Sequence, residues 1–357
     1  MQAVPEDASW KTVFIVLFWV QAASFILARF LERSWPCNMT EVITWIGSLW
    51  LAAMLYFMLS ILVIDIARLT NHFLHFFPAA FYTDYAKTKV IVLYAVMVLV
   101  FLISLGGFIN ARFPRIRKLD LTIHKKVTGD PDLKIVMVSD IHLGTLIAKR
   151  RADFLTEKIN SLNPDIILLA GDVVDEDIKP VIRRNLGENL KNLKSKFGVY
   201  AIPGNHEYIG GAAVAIKYLR EHGITVLQDT SVLVDHRFYI AGRDDRDRER
   251  FTGQKRKSIQ EVLKDVDHNY PIIMMDHQPF HFEDVVAAGV DLQLSGHTHH
   301  GQLWPLNYIT LAMYEVSWGY KMKGNTQFYV SSGFGSWGPP VRTGNRPEIV
   351  EIMLHFR

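Results

Sequence analysis

Asp140, His142, Asp172, Asn205, His277, His297 and His299 all offer an oxygen or an imidazole nitrogen, and each sits in a short polar cluster. The clusters read "SDIHLG", "AGDVVDED", "PGNHEYIGG", "MMDHQP" and "SGHTHHGQ". Singly, each has an ordinary explanation. Asp140 could cap a helix, "GDVVD" and "GNH" could be turns, and His277 could be a partly buried histidine. Together they are poor turn chemistry and good ligand chemistry. Two divalent cations about 3.5–4 Å apart need a bridging carboxylate with neutral or anionic ligands around it. Oxygen and imidazole donors suit Mn, Fe, Zn or Co, and the sulfur that softer ions prefer is missing. A water between two such ions becomes hydroxide near neutral pH and attacks phosphorus in line. The lone Cys37 excludes an intrachain disulfide framework and disfavours a thiolate metal site.

The last cluster places His297, His299 and His300 within four positions. If that segment is extended, His297 and His299 project to one side and His300 to the other. His300 is then expected outside the ligand set.

These clusters need elements to hold them together. Four follow apolar runs that read as buried strands, "LKIVMVSD", "DIILLAGD", "FGVYAIPGN" and "VDLQLSGHTH", and one lies within a fifth, "PIIMMDHQP". Further strands are expected in "ITVLQD", "SVLVD", "RFYIAGRD", "TQFYVSSG" and "EIVEIMLHF". Helical spacing marks "RADFLTEKINSLN", "VIRRNLGENLKNLKS" and "GAAVAIKYLREHG". Strands alternating with helices predict βαβ crossovers and a sheet covered on both faces. Ligands of such sheets gather beyond the carboxyl ends of the strands, where the clusters fall. Gly144, Gly171, Gly204 and Gly296 stand beside them and permit close backbone approach. The charged run "GRDDRDRERF", Gly242 to Phe251, reads as a solvated loop, with a lid over the metals as the alternative. "ERFTGQKRK" could meet lipid head groups.

The first 110 residues differ in kind. Thr12–Ala28, Val42–Ile64 and Val90–Ile109 are uncharged runs that meet the length of about 20 residues a bilayer core requires. "HFLHFFPAAFY", His72–Tyr82, carries Pro78 and is too short to span; it is expected as an interfacial or re-entrant piece, with a fourth span as the alternative. Arg112, Arg115, Arg117 and Lys118 follow the third run. Short basic flanks stay cytoplasmic, which predicts a cytoplasmic C-terminal domain, although Arg68, Lys87 and Lys89 weaken the asymmetry. The same basic cluster could lie on anionic head groups. A net charge of +3 over 357 residues gives no global field that would attract nucleic acid. The expected organisation is 1–110 membrane region, 111–132 basic juxtamembrane linker and 133–357 catalytic domain.

From Asp140 to His299 the clusters closely resemble the calcineurin-like metallophosphoesterases. That family's pattern is D-x-H, G-D-x-x-D, G-N-H-[DE], a lone His and G-H-x-H, here Asp140–His142, Gly171–Asp175, Gly204–Glu207, His277 and Gly296–His299. The resemblance implies a four-layer α-β-β-α sandwich, here preceded by transmembrane helices. It implies that Asp140, His142, Asp172 and His299 hold one ion. Asp172, Asn205, His277 and His297 would hold the other, with Asp172 bridging. His206 would serve as general acid or charge stabiliser, and Asp175 would orient it.

The resemblance is closer to a membrane-anchored bacterial branch with G-H-T-H-G-G-Q, from which His300 departs by standing where glycine is usual. Some relatives there cleave the pyrophosphate of a lipid-linked nucleotide sugar. His300 and Arg342, the latter after "GPPV", are candidate substrate contacts. The expected protein is therefore a multi-pass membrane phosphoesterase of the bacterial inner membrane, manganese being one candidate ion. A metal-bridging hydroxide would attack a phosphodiester or pyrophosphate, in a lipid-linked substrate met at the phospholipid bilayer. The alternatives are a soluble nucleotide-type substrate, or a membrane sensor that binds phosphate without turnover. No nucleic-acid partner is expected.

Overall fold

The computed structural model describes residues 11–35 and 37–357. Residues 1–10 and Pro36, part of the expected membrane region, lie outside the described residues. The chain divides into two compact units: residues up to Ile109 with Gly338–Thr343, and Asn110–Trp337 with Gly344–Arg357.

The first unit holds three long helices, α1 (Lys11–Ser34), α2 (Asn38–Leu74) and α3 (Tyr85–Arg112), the last ending in the other unit. These are the helices among the described residues that are long and apolar enough to cross a membrane. The apolar patch at His72–Tyr82 forms no fourth: α2 runs through Leu74, and only the single turn Ala80–Thr83 follows. Gly47 lets α1 and α2 approach closely, since a Cβ there would fall 2.6 Å from the Phe25 nitrogen. Small residues at such crossings are how apolar helices pack when lipid competes for their side chains.

The second unit contains twelve strands in chain order: β1 (Arg115–Ile123), β2 (Asp132–Val138), β3 (Ile166–Ala170), β4 (Val199–Ile202), β5 (Thr225–Val226), β6 (Thr230–Val234), β7 (Phe238–Gly242), β8 (Ile272–Met275), β9 (Leu292–Ser295), β10 (Gly319–Lys323), β11 (Thr326–Val330) and β12 (Glu348–Phe356). They make two six-stranded sheets, ordered β1-β12-β2-β3-β4-β5 and β10-β11-β9-β8-β7-β6. The runs β2–β3–β4 and β7–β8–β9 are parallel.

Side-chain alternation decides the layers. Ile135 and Met137 join Ile273, Met275, Leu292 and Leu294 in the core shared by the two sheets. Their neighbours Val136 and Val138 turn the other way, onto a layer that includes Leu155 and Ile159 of α4 (Lys149–Ser161). Ile272 and Met274 likewise face outward onto Ile259, Phe282 and Val285. Both sheets are thus covered on both faces, which gives the expected mixed α/β sandwich.

Three local expectations change. Residues 111–132, expected as a linker, contain β1, which pairs in parallel with β12 along nine positions. Leu119, Leu121 and Ile123 alternate with Lys118, Asp120 and Thr122, but the basic residues at the strand's start mask that period. β10 was not foreseen; it exists as the antiparallel partner of β11. "VIRRNLGENLKNLKS" forms two single turns rather than one helix, broken at Asn185, whose φ is +50°.

Leu168 is fully buried between the sheets. Replacing it with alanine should cost about 2–5 kcal/mol of stability. The check is the thermal midpoint of the detergent-solubilised full chain, which should fall clearly below that of the parent. An unchanged midpoint would contradict this core assignment.

Candidate metal centre

The strand ends deliver the candidate ligands. β2 leads to Asp140 and His142, β3 to Asp172, β4 to Asn205, β8 to His277 and β9 to His297 and His299. Parallel neighbours place these ends along one edge of each sheet. The turns beyond them are tight: Asp140, His142, Asp172, His297 and His299 all have positive φ, between 45° and 72°. For non-glycine residues such conformations cost on the order of 1–3 kcal/mol each and persist where the surroundings over-determine them. Two glycines make the approach possible. A Cβ on Gly204 would sit 2.2 Å from Asp172 Oδ1, and one on Gly296 would sit 2.4 Å from Asp140 Oδ2.

Three side-chain groups converge: Asp140, His142 and His299; Asp172, His277 and His297; and His142, Asp175 and His206. His142 Nε2 and His299 Nε2 lie 3.0 Å apart. His299 Nε2 is 3.5 Å from Asp140 Oδ1. Asp172 Oδ2 stands 3.9 Å from His142 Nε2 and 3.1 Å from His277 Nε2, so one carboxylate oxygen serves both sides. His297 Nδ1 is 2.8 Å from Asn205 Oδ1. Asp140, Asp172 and His277 are essentially removed from solvent.

The donors suit a cation. His277 Nδ1–H donates to the Ala170 carbonyl at 2.8 Å, which leaves Nε2 as the nitrogen aimed inward. That Nε2 is buried without a hydrogen-bond partner, as is His142 Nδ1. A lone pair facing a carboxylate oxygen at 3.1 Å is repulsive unless a proton or a metal ion lies between them. The set supplies oxygen and imidazole nitrogen only, as borderline and hard divalent ions prefer.

Electrostatics tell the same story. Burial pushes the Asp140 carboxyl up, against the pull of His277. Burial acts the same way on Asp172, but His277 and His206 outweigh it and hold that group well below the usual carboxylate range. Two adjacent buried carboxylates are expected to split in this way. His277 is raised well above the usual histidine value, because Asp172 overcomes the burial that would lower it. Burial and the charge on His277 lower His297 to about 3.

His206 packs beside His142, their ring centroids 4.5 Å apart, with its Nδ1–H donated to Asp175 Oδ1 at 3.1 Å. Its backbone N–H donates to Asp172 Oδ1 at 2.9 Å. Burial would lower its pKa, yet Asp172, Asp175 and Glu176 raise it to about 9. Asp175 thereby fixes the orientation of this imidazole beside the cluster.

The histidine tract is not extended. Residues His299–Gly301 form a tight turn of left-handed backbone, with φ of 45° at His299 and 44° at His300. The side-to-side alternation expected of a strand therefore does not separate the histidines. The turn does so instead: His299 enters the cluster, while His300 Nδ1 bonds Ser317 Oγ at 2.6 Å and its ring packs on Trp318. Arg342 is fully buried and belongs to the unit of long helices, with its backbone N–H donated to Gly107 O at 2.9 Å.

Two features were not read from the sequence. Glu207 is buried, and its carboxylate accepts from the backbone N–H groups of Gly204, Val174 and Asp172 at 2.7, 2.8 and 3.2 Å. It ties the loops after β3 and β4 together. An acidic residue three positions after the glycine that opens the helix Asn205–Gly210, α5, is the signal that could have shown it. The charged run from Gly242 is the second. Arg243, Asp244 and Asp245 are buried rather than solvated. Arg243 and Arg256 both donate to the Asp276 carboxylate, at 3.0 and 2.8 Å, directly before His277. Tyr208 and Arg248 donate to Asp244 at 2.6 and 2.8 Å. Arg243 and Arg256 are paired with Asp276, and Arg248 with Asp244, which composition alone cannot reveal.

A two-sheet α/β sandwich with histidines and carboxylates converging at its strand ends defines the metallophosphoesterase class. The sequence profile for calcineurin-like phosphoesterases matches residues 133–301. An uncharacterized metallophosphoesterase of Aquifex aeolicus is 32% identical over 256 residues, covering 71% of this chain and 97% of that protein. One from Helicobacter pylori strain J99 is 34% identical over 247 residues, 68% of this chain and 64% of its own length. A bovine transmembrane protein with metallophosphoesterase domain is 30% identical over 275 residues, 73% of this chain and 61% of that protein. The chain thus spans less than two thirds of the length of the Helicobacter relative. It belongs to the calcineurin-like metallophosphoesterase family.

Two variants separate the ligand turn from its surroundings. Gly204→Ala forces a methyl group against Asp172 and should strip the bound metal, measured by elemental analysis of the purified chain. His300→Gly should leave the metal content at the parent value. A lost metal equivalent in the second variant would put His300 in the ligand set.

Proposed function

We propose that this chain is a membrane-anchored phosphoesterase with two divalent cations, acting on a phosphodiester or pyrophosphate of a lipid-linked substrate. The observation that carries the hydrolytic reading is the Asp172 carboxylate oxygen lying between His142 and His277, at 3.9 and 3.1 Å. In this reading Asp140, His142, Asp172 and His299 hold one ion, and Asp172, Asn205, His277 and His297 hold the other. Cations held there supply Lewis-acid charge to the phosphoryl oxygens and activate water.

The remaining work falls to the chain's own groups. His206, protonated and oriented by Asp175, gives a proton to the departing oxygen or steadies its charge. Glu207 keeps the loops after β3 and β4 in register, so Asp172 and Asn205 arrive together. Arg243 and Arg256 hold Asp276 and through it the start of the His277 loop. His300 is the proposed substrate contact. The three long apolar helices support the lipid-linked reading, because an anchor raises the effective concentration of a lipid substrate at the site. The basic residues after α3 support a catalytic unit on the cytoplasmic side of the membrane.

The test uses purified full-length protein, metal analysis, and a panel running from soluble monoesters and diesters to lipid pyrophosphates. Asp172→Ala and Asn205→Ala should lose metal and turnover together. His206→Asn should keep its metal and lose about 10²–10⁴ in kcat on substrates with poor leaving groups. Full turnover in the Asp172 or Asn205 variant would overturn the hydrolytic assignment. Preference for soluble nucleotides over every lipid in the panel would overturn the lipid-linked one.

A further inference from the structure

From Gly301 to Tyr314 the chain reads "GQLWPLNYITLAMY", without a charged residue, and it leads directly out of the turn that carries His299. Within it, α7 (Asn307–Met313, following α6 at Ala212–Glu221) has no buried residue. Its exposure is inverted. Asn307 and Thr310 are half-buried, and Thr310 Oγ1 lies 3.0 Å from Ser317 Oγ, the group that also bonds His300. The apolar side chains face out: Trp304 is 52% exposed, Tyr308 62%, Ile309 54%, Leu311 53% and Met313 60%. Single exposed apolar residues are common, but five within ten positions form a patch that asks for a partner.

The root of this segment is tied to residues at the two places where the chain passes from the unit of long helices into this one. Gly344 N–H donates to Gln302 O at 3.0 Å. The Asn345 amide donates to the carbonyls of His299 and His300. Gly344 and Asn345 are the first residues after Gly338–Thr343, the segment grouped with the long helices. Asn345 O in turn accepts from the Asn110 side chain at 2.7 Å, and Asn110 lies in the last turn of α3. The same region is basic where it meets solvent, with Arg112, Arg117 and Lys118 exposed. Exposed cations and an uncharged patch of Trp, Tyr and aliphatic side chains are the two features that complement phosphate head groups above acyl chains.

We propose that α7, with Trp304, is an interfacial element that lies in the head-group and upper acyl zone of a phospholipid bilayer. It would present the His299 side of the metal centre to lipid. This deepens the lipid end of the proposed function, yet the embedding itself is read without any turnover. Failure of the embedding and failure of the hydrolytic assignment are therefore distinguishable.

The experiment uses the full chain. Cys37, the one cysteine, is replaced by serine, and single cysteines are placed at Leu311, at Met313 and at the exposed Lys264 as a control. Each carries an environment-sensitive fluorophore, in nanodiscs of phosphatidylcholine and phosphatidylglycerol with or without doxyl-labelled acyl chains. The expected result is at least twofold quenching by doxyl lipid at 311 and 313, and none at 264. Quenching by aqueous iodide should show the reverse order. Labels at both α7 positions as open to iodide as the control would overturn the proposal. So would shielding of both labels that disappears when each nanodisc holds a single chain, because a second copy would then be the occupant. Two label sites guard against local disruption at either one.

Discussion

Two carboxylates, Asp140 and Asp172, are buried among imidazoles, and their charge must be balanced where they stand. Isolated buried charge is among the most costly features a fold can hold. Here the balance comes from convergence: His277 Nε2 and the facing His142 and His299 nitrogens all point at the space the carboxylates share. Much of the architecture serves this requirement. Parallel strands bring their ends to one edge, and the loops turn sharply enough to deliver a side chain within a residue or two of the strand.

The sharp turns have a cost that the rest of the fold absorbs. Five candidate ligands sit at positive φ, and glycines stand where a methyl group would displace a carboxylate. Core packing on both faces of both sheets fixes the strands, and Glu207 binds three backbone N–H groups across two loops. The ion-pair network of Arg243, Arg256 and Asp276 acts one residue before His277. A loop that composition would assign to solvent is in this way part of the support for the metal centre.

Chemistry was more legible than architecture. Residue types and their spacing pointed to Asp140, His142, Asp172, Asn205, His277, His297 and His299, because few other uses explain such residues at the ends of apolar runs. The strands β2, β3, β4, β8 and β9 were equally visible, since a strand buried on both faces must be apolar throughout. β1 and β10 were not, because these two edge strands are only partly buried and intersperse basic residues with their apolar ones. The role of His300 shows the limit well. Alternation along a strand predicted its separation from His297 and His299, but a turn with positive φ produced it, through Ser317 and Trp318.

The sequence by itself determined which donors exist, that sulfur is not among them, that each follows a strand, and that three segments are long and apolar enough for a bilayer. Those properties are local, fixed by side-chain chemistry and by runs of neighbouring residues. Only the tertiary structure decided which oxygen faces two histidines, which nitrogen lacks a partner, which charges pair inside the domain, and which apolar helix turns its side chains outward. Those depend on distances between residues far apart in the chain, and such distances come into being only when the two sheets pack.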